Sequence, residues 1–132
     1  MNKKYRILLG GKEVGMTNLE KADVSMGVVF GEIIFDTNKW NYGSIKSYCL
    51  AHSIELTVDY PEDRYLSTRA IDSLIVMNGD GIVVKGVGNQ ISGMDREGFK
   101  IPIEGIAFPF YEEEFLHHIK AYNELNLSLI HI

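Results

Sequence analysis

The chain has 132 residues, a formal net charge of -5, 45% hydrophobic and 23% charged residues, a length and balance that suit one folded domain. Its 7 Tyr, 6 Phe and 1 Trp are spread along the sequence, which argues against long disordered stretches. An acidic surface whose only adjacent basic pair is Lys3-Lys4 repels phosphate backbones, so nucleic acid is excluded from the expected partners.

Residues 4–9 and 12–16 read as two strands joined by Gly10-Gly11, because two residues tolerant of positive φ make a tight hairpin. Residues 26–35 are apolar on both faces and read as one central strand, covered on both sides. Gly27, Val29, Gly31 and Ile33 share a face there, and the two glycines leave room for a helix or a backbone to approach. Tyr42, Ile45, Cys49 and His52 recur at helical spacing, which predicts a first helix over 41–52, capped by Asn41 or Asp36. Residues 54–60 alternate cleanly and predict a strand with Ile54, Leu56, Val58 and Tyr60 on one face. Residues 64–70 give no clear period. Residues 71–77 and 82–87 flank Asn78-Gly79-Asp80-Gly81, a strong hairpin signal. Phe99, Ile101 and Ile103 share the face of a further strand, and Pro102 places it at an edge or a bulge because proline has no N–H. Pro109 and the acidic run Glu112-Glu113-Glu114 open a second helix over 110–124. Its stripe is Tyr111, Phe115, Ile119 and Tyr122. The expected fold is therefore α+β: a mainly antiparallel twisted sheet of about six to eight strands, with a barrel-like form open to it, and two packed helices.

Chemistry-bearing residues are sparse. Glu114 stands i, i+3 to His117 and i, i+4 to His118, so one helix face presents all three, as a metal site requires. The plainer reading is a charged helix start with one histidine at the core boundary and one in solvent. Cys49 and His52 are i, i+3, but Cys49 lies on the apolar stripe, where a free thiol is ordinary core. Residues 86–93 are glycine-rich yet fit neither the dinucleotide nor the phosphate-loop pattern, and bulges or turns of a sheet account for the glycines. No nucleophile elbow occurs. Asp59, Asp72 and Glu104 are available for acid/base work only if the fold brings them together. Trp40, Tyr42, Tyr48 and Tyr111 either line a pocket or partner surface or cap the core beneath the helices; Trp40, Tyr42 and Tyr111 are the candidate partner-binding residues.

No apolar run reaches the roughly 18 residues of a membrane span, and Ile7-Leu8-Leu9 is too short for a signal-peptide core. With one cysteine, Cys49, these features give a cytoplasmic expectation. Residues 11–15, 19–23 and 26–31, together with Pro109-Phe110-Tyr111-Glu112 and His117-His118, resemble small bacterial proteins that carry no assigned activity. The resemblance implies a bacterial cytosolic origin and supplies no catalytic residue. Leu127-Ser128-Leu129-Ile130-His131-Ile132 resembles the translation of a transposase end sequence, the adapter DNA of genome sequencing. That resemblance implies one domain over 1–126 and a non-native tail over 127–132.

The function expected from this absence of motifs is a non-enzymatic interaction module, of the immunity or regulatory type, with a protein partner of basic character. The alternative is a small enzyme or a metal- or ligand-binding domain using Glu114, His117 and His118. No cofactor is implied, and oligomeric state stays open, with dimerisation through an edge strand as a third option.

Overall fold

The structure, a computed structural model, describes residues 3–130, with side chains described through Asn126. Strands β1 (Tyr5–Leu9) and β2 (Lys12–Thr17) form the expected hairpin, and Gly10 and Gly11 take φ of +60° and +83° in its turn. A register shift between Ile7 and Leu8 leaves Val14 without a partner, a bulge in β2. Next come β3 (Lys21–Asp23), a 3-10 turn at Val24–Met26, β4 (Val28–Glu32) and β5 (Ile34–Phe35).

The single strand expected over 26–35 is thus two strands of different sheets. β5 pairs with β2. β4 pairs with β11 (Gly98–Glu104). At the break, Ile33 N–H donates to the Phe99 carbonyl at 2.9 Å. The approach that Gly31 allows comes from side chains, not from a helix. A Cβ there would lie 2.5 Å from Thr17 Oγ1 and 2.8 Å from both Glu20 carboxylate oxygens. Glu20 uses that space to accept the Glu32 N–H at 3.0 Å.

Helix α1 (Tyr42–Ala51) starts where the sequence places it. Asn41 Oδ1 accepts the Ser44 N–H at 3.0 Å and Ser44 Oγ accepts the Asn41 N–H at 2.9 Å, a reciprocal cap. β6 (Leu56–Tyr60) and β7 (Tyr65–Thr68) make a hairpin, so residues 64–70 contribute a strand that their sequence did not announce. β8 (Leu74–Met77), β9 (Gly88–Asn89) and β10 (Ser92–Met94) follow, then β11, α2 (Phe110–Glu114) and α3 (Leu116–Ile130).

The fold is α+β with two antiparallel sheets, ordered β5-β2-β1-β8 and β3-β4-β11-β10-β7-β6, with β9 also on β11. Among the described residues, eleven short strands replace the six to eight expected, and neither sheet closes into a barrel. One buried cluster joins Tyr5, Ile7 and Val76 of the smaller sheet to Val29, Leu66, Ile101 and Ile103 of the larger. Ile45, Tyr111 and Phe115 enter it from the helical segments.

Three local expectations are corrected. The turn at Asn78–Gly81 exists, with Asn78 N–H on the Ile82 carbonyl at 2.9 Å, but residues 82–87 form no strand beyond a bridge at Val83. Val84 alone of its apolar residues reaches the core, while Ile82, Val83 and Val87 stay exposed, so this arm does not alternate against a buried face. Pro102 is not at an edge, since β11 is flanked by β4 on one side and by β9 and β10 on the other. Its carbonyl faces Gln90, in the gap between β9 and β10, so its missing N–H falls where the ladder is already interrupted. The second helix is two, because Phe115 (φ -113°, ψ 38°) leaves helical geometry and turns the chain between α2 and α3. Among the described residues no helix is long and apolar enough to cross a membrane. The reading of 127–132 as a tail rests on side chains and terminal residues that lie outside those described.

Candidate functional site

The Glu114 carboxylate points into the body of the protein. Its Oε2 receives Tyr5 Oη at 2.8 Å and Lys3 Nζ at 3.0 Å, and its Oε1 receives Asn78 Nδ2 at 2.8 Å. Burial by itself would raise this carboxyl, but the hydrogen bonds from Asn78, Tyr5 and Lys3 outweigh it and hold the group below the usual carboxylate range. The same burial, with the Glu114 charge, pushes the Tyr5 phenol well above its ordinary value.

His118 Nε2 donates to the Leu19 carbonyl at 2.9 Å. His117 is exposed beside it, with ring centroids 4.1 Å apart. Partial loss of hydration and the nearby positive charges of His118 and Lys3 lower its pKa. The carboxylate is therefore engaged elsewhere, and the two rings lie against each other. Among the described residues no three His, Cys, Asp or Glu side chains gather as a metal-binding group.

The aromatic candidates separate. Tyr111 is fully buried, donates to the Val28 carbonyl at 3.1 Å, and burial and Asp23 push its phenol up to about 12. Tyr42 is buried too, and ties three elements together. Its hydroxyl donates to Asp59, which Lys46 Nζ meets at 2.7 Å, and its N–H donates to Asp95 at 2.7 Å. Asp95 also pairs with Arg64, whose guanidinium lies 5.3 Å from the Tyr42 ring centroid. Hydrogen bonds from Lys46 and Tyr42 keep Asp59 below the usual carboxylate range. Cys49 is buried, and burial pushes its thiol up, as expected of an inert core cysteine.

Trp40 alone of the three partner candidates stands at an opening. A cleft of about 360 Å³ lies between α1 and the β1–β2 hairpin. The hairpin supplies Leu9, Gly10 and Val14, the segment before α1 supplies Trp40, and α1 supplies Tyr48 and His52. The i, i+4 spacing of Tyr48 and His52 stacks their rings at 4.0 Å, with planes 21° apart. His52 Nδ1 donates to the Tyr48 carbonyl at 2.9 Å, which fixes the imidazole at the helix end. Tyr48 Oη bonds Ser73 Oγ at 2.8 Å, and a Cβ at Gly10 would come within 3.0 Å of that hydroxyl. Gly10 thus serves the turn and makes room for the wall. Trp40 stacks on Phe35, which meets Phe99 of the core edge-on, and Tyr48 meets Trp40 edge-on at 6.5 Å. Charge lies only at the rim: Lys12, Glu13, Asp36 and Lys39. Glu13 is paired with Arg6 at 2.9 Å, and Lys39 Nζ lies 5.4 Å from the Trp40 ring centroid.

Sequence reasoning named Trp40 and Tyr48 together but could not supply the opposite wall, because nothing in residues 9–14 marks a hairpin flank as pocket lining. The i, i+4 spacing of Tyr48 and His52 is the available signal, but the apolar stripe Tyr42, Ile45, Cys49, His52 takes in His52 and leaves Tyr48 out. Of two larger depressions, one along 70–75 and 83–89 is lined mainly by aliphatic and glycine residues, and the other, between α3 and β3, has Phe30, His118 and Tyr122 in its wall but only Asp23 for charge beside the imidazole. Neither combines aromatic walls with charge of both signs. No protein family, curated protein or solved structure matches the chain.

Proposed function

We propose that the chain is a non-enzymatic protein-interaction module of the bacterial cytosol, of the immunity or regulatory type, which engages a basic protein partner through the Trp40 cleft. The observation that carries this reading is the cleft itself: an open apolar slot walled by Trp40, Tyr48 and His52, with charge confined to its rim. Large rigid aromatics bury area at small entropic cost, and a polar rim around an apolar centre is the usual anatomy of a binding surface. The net charge of -5 favours encounter with a basic partner. The dispersal of Glu114, His117 and His118 into separate contacts leaves the rival metal-site reading without a geometric basis among the described residues.

Capture experiments with the tagged chain test the reading. Wild type is expected to recover a stoichiometric protein partner, and W40A to lose it while still folded at the capture temperature by circular dichroism, with a lowered melting temperature because Trp40 packs on Phe35. Recovery that is unchanged in W40A, or no stoichiometric partner with either protein, would overturn it.

A further inference from the structure

We infer that the Trp40 cleft is an arginine receptor: it takes the guanidinium of a partner arginine, and Lys39 occupies that place in the free protein. This deepens the interaction-module reading and rests on it. Three observations on the cleft converge. The face of Trp40 already takes a cation, since Lys39 Nζ lies over the ring at 5.4 Å from its centroid. Tyr48 and His52 stack on each other and Trp40 lies edge-on to Tyr48, so the ring that takes a cation in the cleft is Trp40. An indole face suits a planar cation that stacks and is weakly hydrated, which describes guanidinium better than ammonium. Finally, Asp36 lines the cleft and forms no ion pair among the described residues, whereas Glu13 is held by Arg6.

The rim charges balance, so the ring face and the carboxylate without an ion pair decide the sign of the ligand. Lys12 and Lys39 oppose Glu13 and Asp36, so an added cation would face a balanced rim if Lys39 stayed. Lys39 is exposed and is held over Trp40 by a contact that is weak at such positions. When an arginine displaces it, one positive charge replaces another and no buried charge is left unpaired. A carboxylate or phosphate ligand would instead meet the electron-rich face of Trp40 together with Asp36.

Trp40 is the one tryptophan of the chain, so its emission reports the cleft directly. The full chain would be titrated with end-blocked Gly-Arg-Gly, Gly-Lys-Gly and Gly-citrulline-Gly at fixed ionic strength. A saturable change with the arginine peptide is expected, on the order of millimolar for so small a ligand. The lysine peptide should bind several-fold more weakly, and the neutral citrulline peptide should give no response. K39Q should tighten arginine binding roughly two- to five-fold by removing the resident cation, and D36N should weaken it. Both substitutions are at exposed positions, and unchanged melting confirms that the fold survives. Equal response to citrulline and arginine, or no saturable response in wild type and K39Q, overturns the arginine assignment. If that happens while partner capture still depends on Trp40, the module reading stands alone. Arginine binding without any protein partner has the opposite meaning.

Discussion

Glu114 keeps a negative charge with only 10% of its side-chain surface open to solvent, because Asn78, Tyr5 and Lys3 all donate to it. Those donors come from two parts of the chain, Lys3 and Tyr5 at the N-terminus and Asn78 just after β8, so the carboxylate pins both segments to the junction of α2 and α3. Its folded pKa lies below the unfolded value. The stabilisation is therefore present above the ordinary glutamate range and is lost as pH falls through the depressed folded value. Urea unfolding measured from pH 6 down to pH 3 should show this loss. In E114Q that part of the pH dependence should disappear, with a cost at neutral pH of about 1–3 kcal/mol from unmatched buried donors. An E114Q protein that is as stable as wild type at pH 7 would contradict the pinning role.

At the scale of elements, α1 is the piece on which the cleft depends, since it carries Tyr48 and His52. Its reciprocal cap is worth testing by N41A, which should lower the melting temperature by about 4 °C, the equivalent of a lost cap in a chain of this size. Circular dichroism melting measures it. Elements with a self-contained signal were legible in the sequence. Asn41 and Ser44 sit three residues apart, Gly10-Gly11 makes its turn alone, and Phe99, Ile101 and Ile103 alternate toward the core as expected. What was illegible depends on distant partners. The division of residues 26–35 at Ile33 requires β2 on one side and β11 on the other. The break at Phe115 keeps Tyr111 and Phe115 buried while Tyr122, on the same nominal stripe, is 37% exposed. Of the candidate site, Trp40 was readable as an amphipathic aromatic, but its role depends on which neighbours the two sheets bring to it.

For the whole molecule, both sheets and the helical segments share one buried cluster, and the β4–β5 segment passes from one sheet to the other without a loop. Neither sheet has a separate core to retain when the other is lost. Thermal unfolding should accordingly be a single cooperative transition. Trp40 emission reports beside the smaller sheet and far-ultraviolet circular dichroism reports on all elements, so their midpoints should coincide. Separated midpoints would show two independently melting units.

The gap opposite Pro102 has a consequence for how the larger sheet is wired. Three strands, β4, β9 and β10, hydrogen-bond to β11 and none of them to each other. Sever that one node and the sheet separates into β3-β4, the isolated pair of residues in β9, and β10-β7-β6. The smaller sheet draws all its strands from before residue 78, whereas the larger has no connected form until residues 98–104 have been made. On a ribosome, the hairpin that borders the Trp40 cleft can therefore be complete while the larger sheet still lacks its hub.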